Sequence, residues 1–354
     1  SRGGSISLKI AYLFPGQGAQ YPGMGKELYG RFKSARRVFR AASKILGYSV
    51  ESLCFDGDDR LNLTEYTQPA IVTTSCAALA VVREQLGSDL APSVAAGLSL
   101  GEYSALVCAR AMGLRHAVAL VRRRGRIMQE ACPPGAGAMA TVLGLSSDAV
   151  LEVCRGAQSA GVVEAANFNC PGQVVISGDA AAVDLASEIA MARGARRVIR
   201  LNVSGPFHSS LLRQAGARLQ DELDHVRISR PRVPVYANVT AGPPADPVPR
   251  AIRALLVQQV ASPVLWEQTM VNMARAGIDT FIEIGPGKTL TSLVKKTLPQ
   301  AAAMNVEDLA SLEALRAAVS RARADRVAAA SALAPASVAS VAVTAGAGAG
   351  GGTW

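Results

Sequence analysis

Residues 94–107 read Val94-Ala95-Ala96-Gly97-Leu98-Ser99-Leu100-Gly101-Glu102-Tyr103-Ser104-Ala105-Leu106-Val107: a short apolar run, a G-x-S-x-G turn and a second apolar run. That order predicts strand, sharp turn, helix. Glycines on both sides of Ser99 permit a turn tight enough to lift the serine oxygen out of the backbone. The helix that follows offers unpaired N–H groups and its positive dipole end to a developing oxyanion. Ser99 is therefore the candidate nucleophile. Without those flanks the same five residues would be a glycine-rich turn with an incidental serine.

Outward from this turn the alternation continues. KIAYLF (9–14) is an apolar run ended by Pro15 and Gly16, the pattern of a buried strand emptying into a loop. Residues 67–86 have helical periodicity, and a further helix is expected from Leu114 to Ala131 between Gly113 and the Pro133-Pro134 pair. Strands alternating with helices imply an α/β fold. The loop Pro15-Gly16-Gln17-Gly18 leaves its strand at the carboxyl edge that also bears the serine, where ligands of open α/β sheets collect. The N–H groups of Gln17 and Leu100 can thus form an oxyanion hole.

From Gly135 the texture changes. AMATVLGL, GVVEAANFN, QVVISG and ARRVIRLNVS read as four short strands separated by helices over 146–157 and 179–193. This is a β-α-β-β-α-β order, ferredoxin-like, expected to form a small subdomain over 135–204. It splits the larger domain into 9–134 and 205–320. In the second part VPVYANV (233–239) and TFIEIGPG (280–287) read as further strands. Residues 325–354, mostly Ala, Ser, Val, Thr and Gly, are expected to be a flexible tail, too weakly apolar to favour a membrane span.

Of the 354 residues 49% are hydrophobic and 18% charged, which suits a globular protein with a sizeable core. Lys plus Arg number 37 against 27 Asp plus Glu, a net +10 that is compatible with an acidic partner or phosphates. Aromatics make up only 5% and no basic run is interleaved with them, so nucleic-acid binding is not expected. The six cysteines are scattered without a C-x-x-C pair, which argues against a zinc site or a disulfide framework and for free thiols. No metal is expected. The first residues carry no apolar stretch with a cleavage site, so a cytoplasmic setting is expected.

A serine nucleophile needs a base, and the chain contains three histidines. His116 and His225 lie in charged helical sequence, where a solvated surface position is expected. His208 sits in Ser204-Gly205-Pro206-Phe207-His208-Ser209, a breaker-rich loop at the return from the insert. Such a loop aims a side chain into an interdomain cleft.

Taken together, FPGQG, GLSLGEYSALV, RRRGRIMQ, NFNCPGQVVISG, GPFHS, SPVLW and EIGPGKTL resemble the malonyl-CoA:acyl carrier protein transacylase family. That family includes discrete acyltransferases of fatty-acid synthases and of polyketide synthases lacking their own. The resemblance implies an α/β-hydrolase-like large domain with a ferredoxin-like insert. It implies Ser99 as nucleophile, His208 as general base, and Gln17 and Leu100 as oxyanion donors. In place of a triad carboxylate, the backbone carbonyl of Gln259 is implied to orient the histidine. Arg124 matches the arginine that holds the free carboxylate of the malonyl group, a task suited to a planar guanidinium. Asn167 and Asn169 match a segment near the pantetheine arm. The implied substrate is malonyl-CoA, the partner an acyl carrier protein bearing phosphopantetheine, and no bound cofactor is required.

The chain departs from the family pattern at Leu98, where many housekeeping members have histidine, and this favours a polyketide-associated member. Leu100 and Phe207 resemble malonyl-selective members, Phe207 occupying space that an α-methyl group would need. Two other readings remain at this level. One is a proofreading acyl hydrolase of the same family, against which Arg124 speaks. The other is a non-catalytic scaffold docking carrier proteins through its basic surface. For the transferase itself the carrier protein is expected to dock on a basic surface near the cleft that includes Arg193, Arg196, Arg197 and Arg200.

Overall fold

The computed structural model describes residues 9–133, 135–203 and 205–332. Among them the strands are, in chain order, β1 (Ile10–Phe14), β2 (Val94–Gly97), β3 (Gly137–Leu143), β4 (Val163–Cys170), β5 (Gln173–Asp179), β6 (Arg197–Arg200), β7 (Val235–Tyr236), β8 (Thr280–Ile284) and β9 (Ala302–Val306). They form two sheets. Chain contacts divide the protein into a unit of residues 1–315, which holds both sheets, and a unit of residues 316–354.

The first sheet is parallel, in the order β7-β2-β1-β8-β9. All five residues of β1 are buried, as a central parallel strand covered on both faces requires. Its neighbours are in register so that Phe14 pairs with Gly97 and Leu13 with Glu283. The carboxyl ends of β1, β2 and β8 therefore stand side by side. Winding proceeds outward from β1 through β2 to β7, then resumes on the other side with β8 and β9. This reversal beside β1 is a switch point of the kind where α/β sheets collect ligands. Leu13, Phe281, Trp266, Met270 and Val294 belong to the buried core around the sheet.

The second sheet is antiparallel, in the order β4-β5-β3-β6. Helices Ser147–Ala157 and Ala180–Ala192 complete a β-α-β-β-α-β chain order, close to the sequence expectation. It has its own core, including Val142, Val150, Val153, Val174, Ile176 and Val183. Beyond Ala165 the strand β4 also reaches out of its sheet. Val264 N–H donates to the Ala166 carbonyl (2.8 Å) and Phe168 N–H to the Val264 carbonyl (2.9 Å), which ties the insert to the segment following Gln259.

Three elements differ from the sequence reading: of the strand expected over 233–239 only Val235–Tyr236 forms β7. The strand β9 was not expected, because AAMNV is short and weakly patterned; it forms by pairing along β8. The helix Leu309–Ala332 covers the first residues of the segment expected as a tail. Residues 333–354 lie outside the described residues. Among the described residues no helix is long and apolar enough to cross a membrane.

Candidate active site

The serine turn is built by close approach. A Cβ on Gly97 would lie 1.9 Å from the Gly101 carbonyl carbon, and one on Gly101 would lie 2.1 Å from the Phe14 oxygen. Only glycine fits either position. Between them Ser99 adopts φ 48°, a left-handed conformation costly for a non-glycine residue and common where function demands it. The helix Gly101–Cys108 starts immediately afterwards.

His208 also has a positive φ, 61°, and is buried. Its Nε2 lies 2.7 Å from Ser99 Oγ and its Nδ1 lies 2.9 Å from the Gln259 backbone oxygen. A carbonyl only accepts, so Nδ1 carries the proton and donates it there, leaving the Nε2 lone pair facing the serine. Burial first, and then the nearby Arg124 charge, push the imidazole pKa down to about 4, against the Gln259 carbonyl, which favours protonation. At neutral pH the ring is thus an unprotonated base. His116 is half-buried on the helix Leu114–Glu130, and His225 is exposed at the end of the helix Arg213–Asp224.

Arg124 projects from the helix Leu114–Glu130 and is only 1% exposed. Its Nη2 lies 3.3 Å from Ser99 Oγ and donates to Gln259 Oε1 (3.1 Å), while Nη1 donates to Gln68 Oε1 (2.9 Å). The guanidinium stands over the Tyr103 ring, 5.5 Å from its centroid. Among the described residues Arg124 has no carboxylate in ion-pair contact, and its buried Nε–H has no partner. Burial pulls the arginine pKa down, but a guanidinium keeps its proton in proteins. A charge stands beside the serine without an opposite charge in contact.

Beneath the turn lies a polar network that the sequence reading missed. Asn238 Oδ1 accepts from Ser99 N–H (2.6 Å), and Asn238 Nδ2 donates to the Gly97 carbonyl (2.8 Å). Gln259 Nε2 donates to the Ser99 carbonyl (3.1 Å) and to Glu102 Oε2 (2.8 Å), and Asn238 N–H donates to the same carboxyl oxygen (3.0 Å). Burial pushes Glu102 up to about 7, opposed by the bonds from Asn238 and Gln259 and by the Arg124 charge. The signal for Glu102, Gln68 and Asn238 was a polar residue inside an otherwise apolar run.

A Cβ on Gly16 would lie 2.4 Å from the Leu98 carbonyl oxygen, so the Gln17 loop runs against the serine turn. Among the described residues neither the Gln17 nor the Leu100 N–H has a hydrogen-bond partner within the protein. The Gln17 side chain donates to Thr64 Oγ1 (3.2 Å). Phe207 is buried beside His208. Asn167 is buried on β4 and bridges to Val264, whereas Asn169 keeps a buried Oδ1 without a partner. Neither asparagine hydrogen-bonds to Ser99, His208 or Arg124 among the described residues. No cluster of three or more His, Cys, Asp or Glu suited to a metal occurs among the described residues.

A strained serine on a strand-to-helix turn with a neutral buried imidazole on its oxygen defines a nucleophilic acyl-transfer type of centre. Consistent with that class, the acyl transferase domain family matches residues 11–340, and the chain belongs to this family. It is similar to the malonyl CoA-acyl carrier protein transacylase of Bacillus subtilis, with 46% identity over 307 residues covering 86% of this chain and 95% of that protein. Among solved structures it resembles the malonyl CoA-acyl carrier protein transacylase of Clostridium perfringens, at 43% identity, TM-score 0.84 and coverage of 91% and 99%. It also resembles a malonyl-transacylase solved in complex with its type II polyketide synthase acyl-carrier protein, at 40% identity, TM-score 0.83 and coverage of 86% and 97%.

Proposed function

We propose that this protein transfers a malonyl group from malonyl-CoA, through an ester on Ser99, to the phosphopantetheine thiol of an acyl carrier protein. The observation that carries this reading is the buried Arg124 guanidinium, 3.3 Å from Ser99 Oγ and free of any carboxylate contact among the described residues. It suits an acyl group that brings its own carboxylate. His208 Nε2 takes the Ser99 proton as the oxygen attacks the thioester carbonyl, and the Gln17 and Leu100 N–H groups receive the oxyanion. Collapse expels the CoA thiolate, which takes the proton back from His208. The carrier thiol then repeats the sequence in reverse, His208 accepting its proton and returning it to Ser99 as the ester breaks. The Gln259 carbonyl orients the imidazole throughout.

The architecture behind this chemistry is an α/β-hydrolase-like domain, 9–134 and 205–320, with a ferredoxin-like insert, 135–204. The insert's strand order and the parallel main sheet support that description. The cleft between the two would take the pantetheine arm past Asn167 and Asn169, with Phe207 limiting α-substituted acyl groups. Leu98 supports service in polyketide biosynthesis, and the likeness to the polyketide-associated transacylase is compatible with it.

The test is Arg124. Arg124→Ala is expected to lower malonyl loading of Ser99 by about 2 to 4 kcal/mol, roughly 30-fold to 1000-fold, because the acyl carboxylate would be desolvated without a partner. Acetyl loading, which strands no charge, stays level or rises. Arg124→Lys recovers part of the malonyl rate, as an ammonium lacks the fork. Equal losses of kcat/KM for malonyl-CoA and acetyl-CoA would reduce Arg124 to a structural residue and remove the malonyl reading. Rapid release of malonate to water in place of transfer would instead indicate a hydrolase.

A further inference from the structure

We propose that Gln68 is a positioning residue for acyl selectivity: its neutral carboxamide holds Arg124 in place without consuming the charge that the acyl carboxylate needs. The inference rests on the reading of Arg124 given above. Gln68 is fully buried on the helix Thr64–Leu86. Its Oε1 accepts from Arg124 Nη1 at 2.9 Å, and its Nε2 donates weakly to Met128 Sδ at 3.8 Å. That pair of partners sets the direction of the amide. Reversed, it would turn N–H groups toward a guanidinium that only donates and its oxygen toward a sulfur that cannot donate.

The contact exists because two helices touch. Gly125, next to Arg124, packs so closely on the start of the Gln68 helix that a Cβ there would lie 2.6 Å from the Thr64 oxygen. On the other side of the guanidinium Gln259 Oε1 takes Nη2, again with a neutral amide. The Glu102 carboxyl stands behind Gln259, one side chain removed from the arginine. The acceptors on the end nitrogens, two carboxamides and the Ser99 hydroxyl, are thus all uncharged. A carboxylate in place of either carboxamide would neutralise the guanidinium in an ion pair and would compete with the substrate. Carboxamides orient the fork and leave its charge, and the unpartnered Nε–H, to the acyl group.

Gln68→Glu keeps the shape and adds the carboxylate. Serine loading is followed as acyl-enzyme mass and as kcat/KM for malonyl-CoA and acetyl-CoA, with thermal melting to confirm the fold. Gln68→Glu is expected to lower malonyl loading about 100-fold, with acetyl loading within about threefold of wild type. Gln68→Met, which removes the acceptor without adding charge, is expected to lower malonyl loading about tenfold, mainly through KM. Should Gln68→Glu fail to fold, Gln68→Met alone decides. A malonyl-to-acetyl ratio unchanged in the folded variants, or equal losses for both substrates, overturns the proposal. Arg124→Ala run in parallel separates the failures. If it leaves the ratio unchanged, the reading of Arg124 is wrong; if it lowers the ratio and the Gln68 variants do not, only the role of Gln68 falls.

Discussion

Burial and the Arg124 charge both oppose a proton on His208, whose pKa is pushed down to about 4. Histidine-labelled NMR, with the signal assigned through His208→Ala, is expected to show the ring neutral until the pH nears 4. Removing the like charge in Arg124→Ala should move the titration upward. A wild-type midpoint near 6.5 would mean that the ring is solvated and the closed geometry is not the one in solution. The same shift acts on stability. Between about 4 and 6.5 the unfolded chain binds a proton that the folded His208 refuses, so this residue makes stability fall as pH drops through that window. In kinetics, His208→Ala is expected to slow acylation by about 10² to 10⁴, the range for losing a positioned base. His116→Ala and His225→Ala serve as controls, and a comparable loss at either would overturn the assignment.

At the scale of the element, the strand-turn-helix of β2 exists only where backbone can meet backbone. Gly101→Ala would drive a methyl group to 2.1 Å from the Phe14 oxygen, at the carboxyl end of the central strand β1. The expected cost is about 3 kcal/mol, with loss of Ser99 acylation in whatever folds. Gly30→Ala is the comparison, since nothing lies within 4 Å of the added carbon, and helix propensity alone should stabilise by up to about 1 kcal/mol. Equal melting temperatures for the two variants would show that the turn relaxes freely. Elements with strong local patterning, such as β1 and the helix Leu114–Glu130, were legible from the sequence. The edge strand β9 was not, because its pattern is weak and the hydrogen bonds that define it come from β8.

For the whole molecule, the net charge of +10 offers an acidic carrier protein a favourable field. The four arginines Arg193, Arg196, Arg197 and Arg200 of the insert are not equivalent. Arg193 pairs with Glu152 at 2.7 Å and Arg200 pairs with Asp184, whereas Arg196 and Arg197 are exposed and form no ion pair among the described residues. Reversing Arg196 and Arg197 together is expected to raise the carrier-protein KM about tenfold, with malonyl-CoA loading unchanged and the difference shrinking at high salt. An unchanged KM would move the docking surface elsewhere.

Features that depend on near neighbours in the chain were legible in the sequence. The glycine spacing around Ser99, the strand and helix flanks and the breaker-rich loop of His208 are local features whose physics is decided within a few residues. Arg124 needed the family resemblance, since nothing in RRRG distinguishes one arginine from the next. Which polar residues of the apolar runs join the site emerged from folding alone. Gln68, Asn238 and Glu102 could each have been a satisfied core residue. They meet around Ser99 and Arg124 because parallel register aligns the strand ends and because Gly125 lets one helix press against another. Register and helix contact are set by burial summed over the whole core, which no short window of sequence contains.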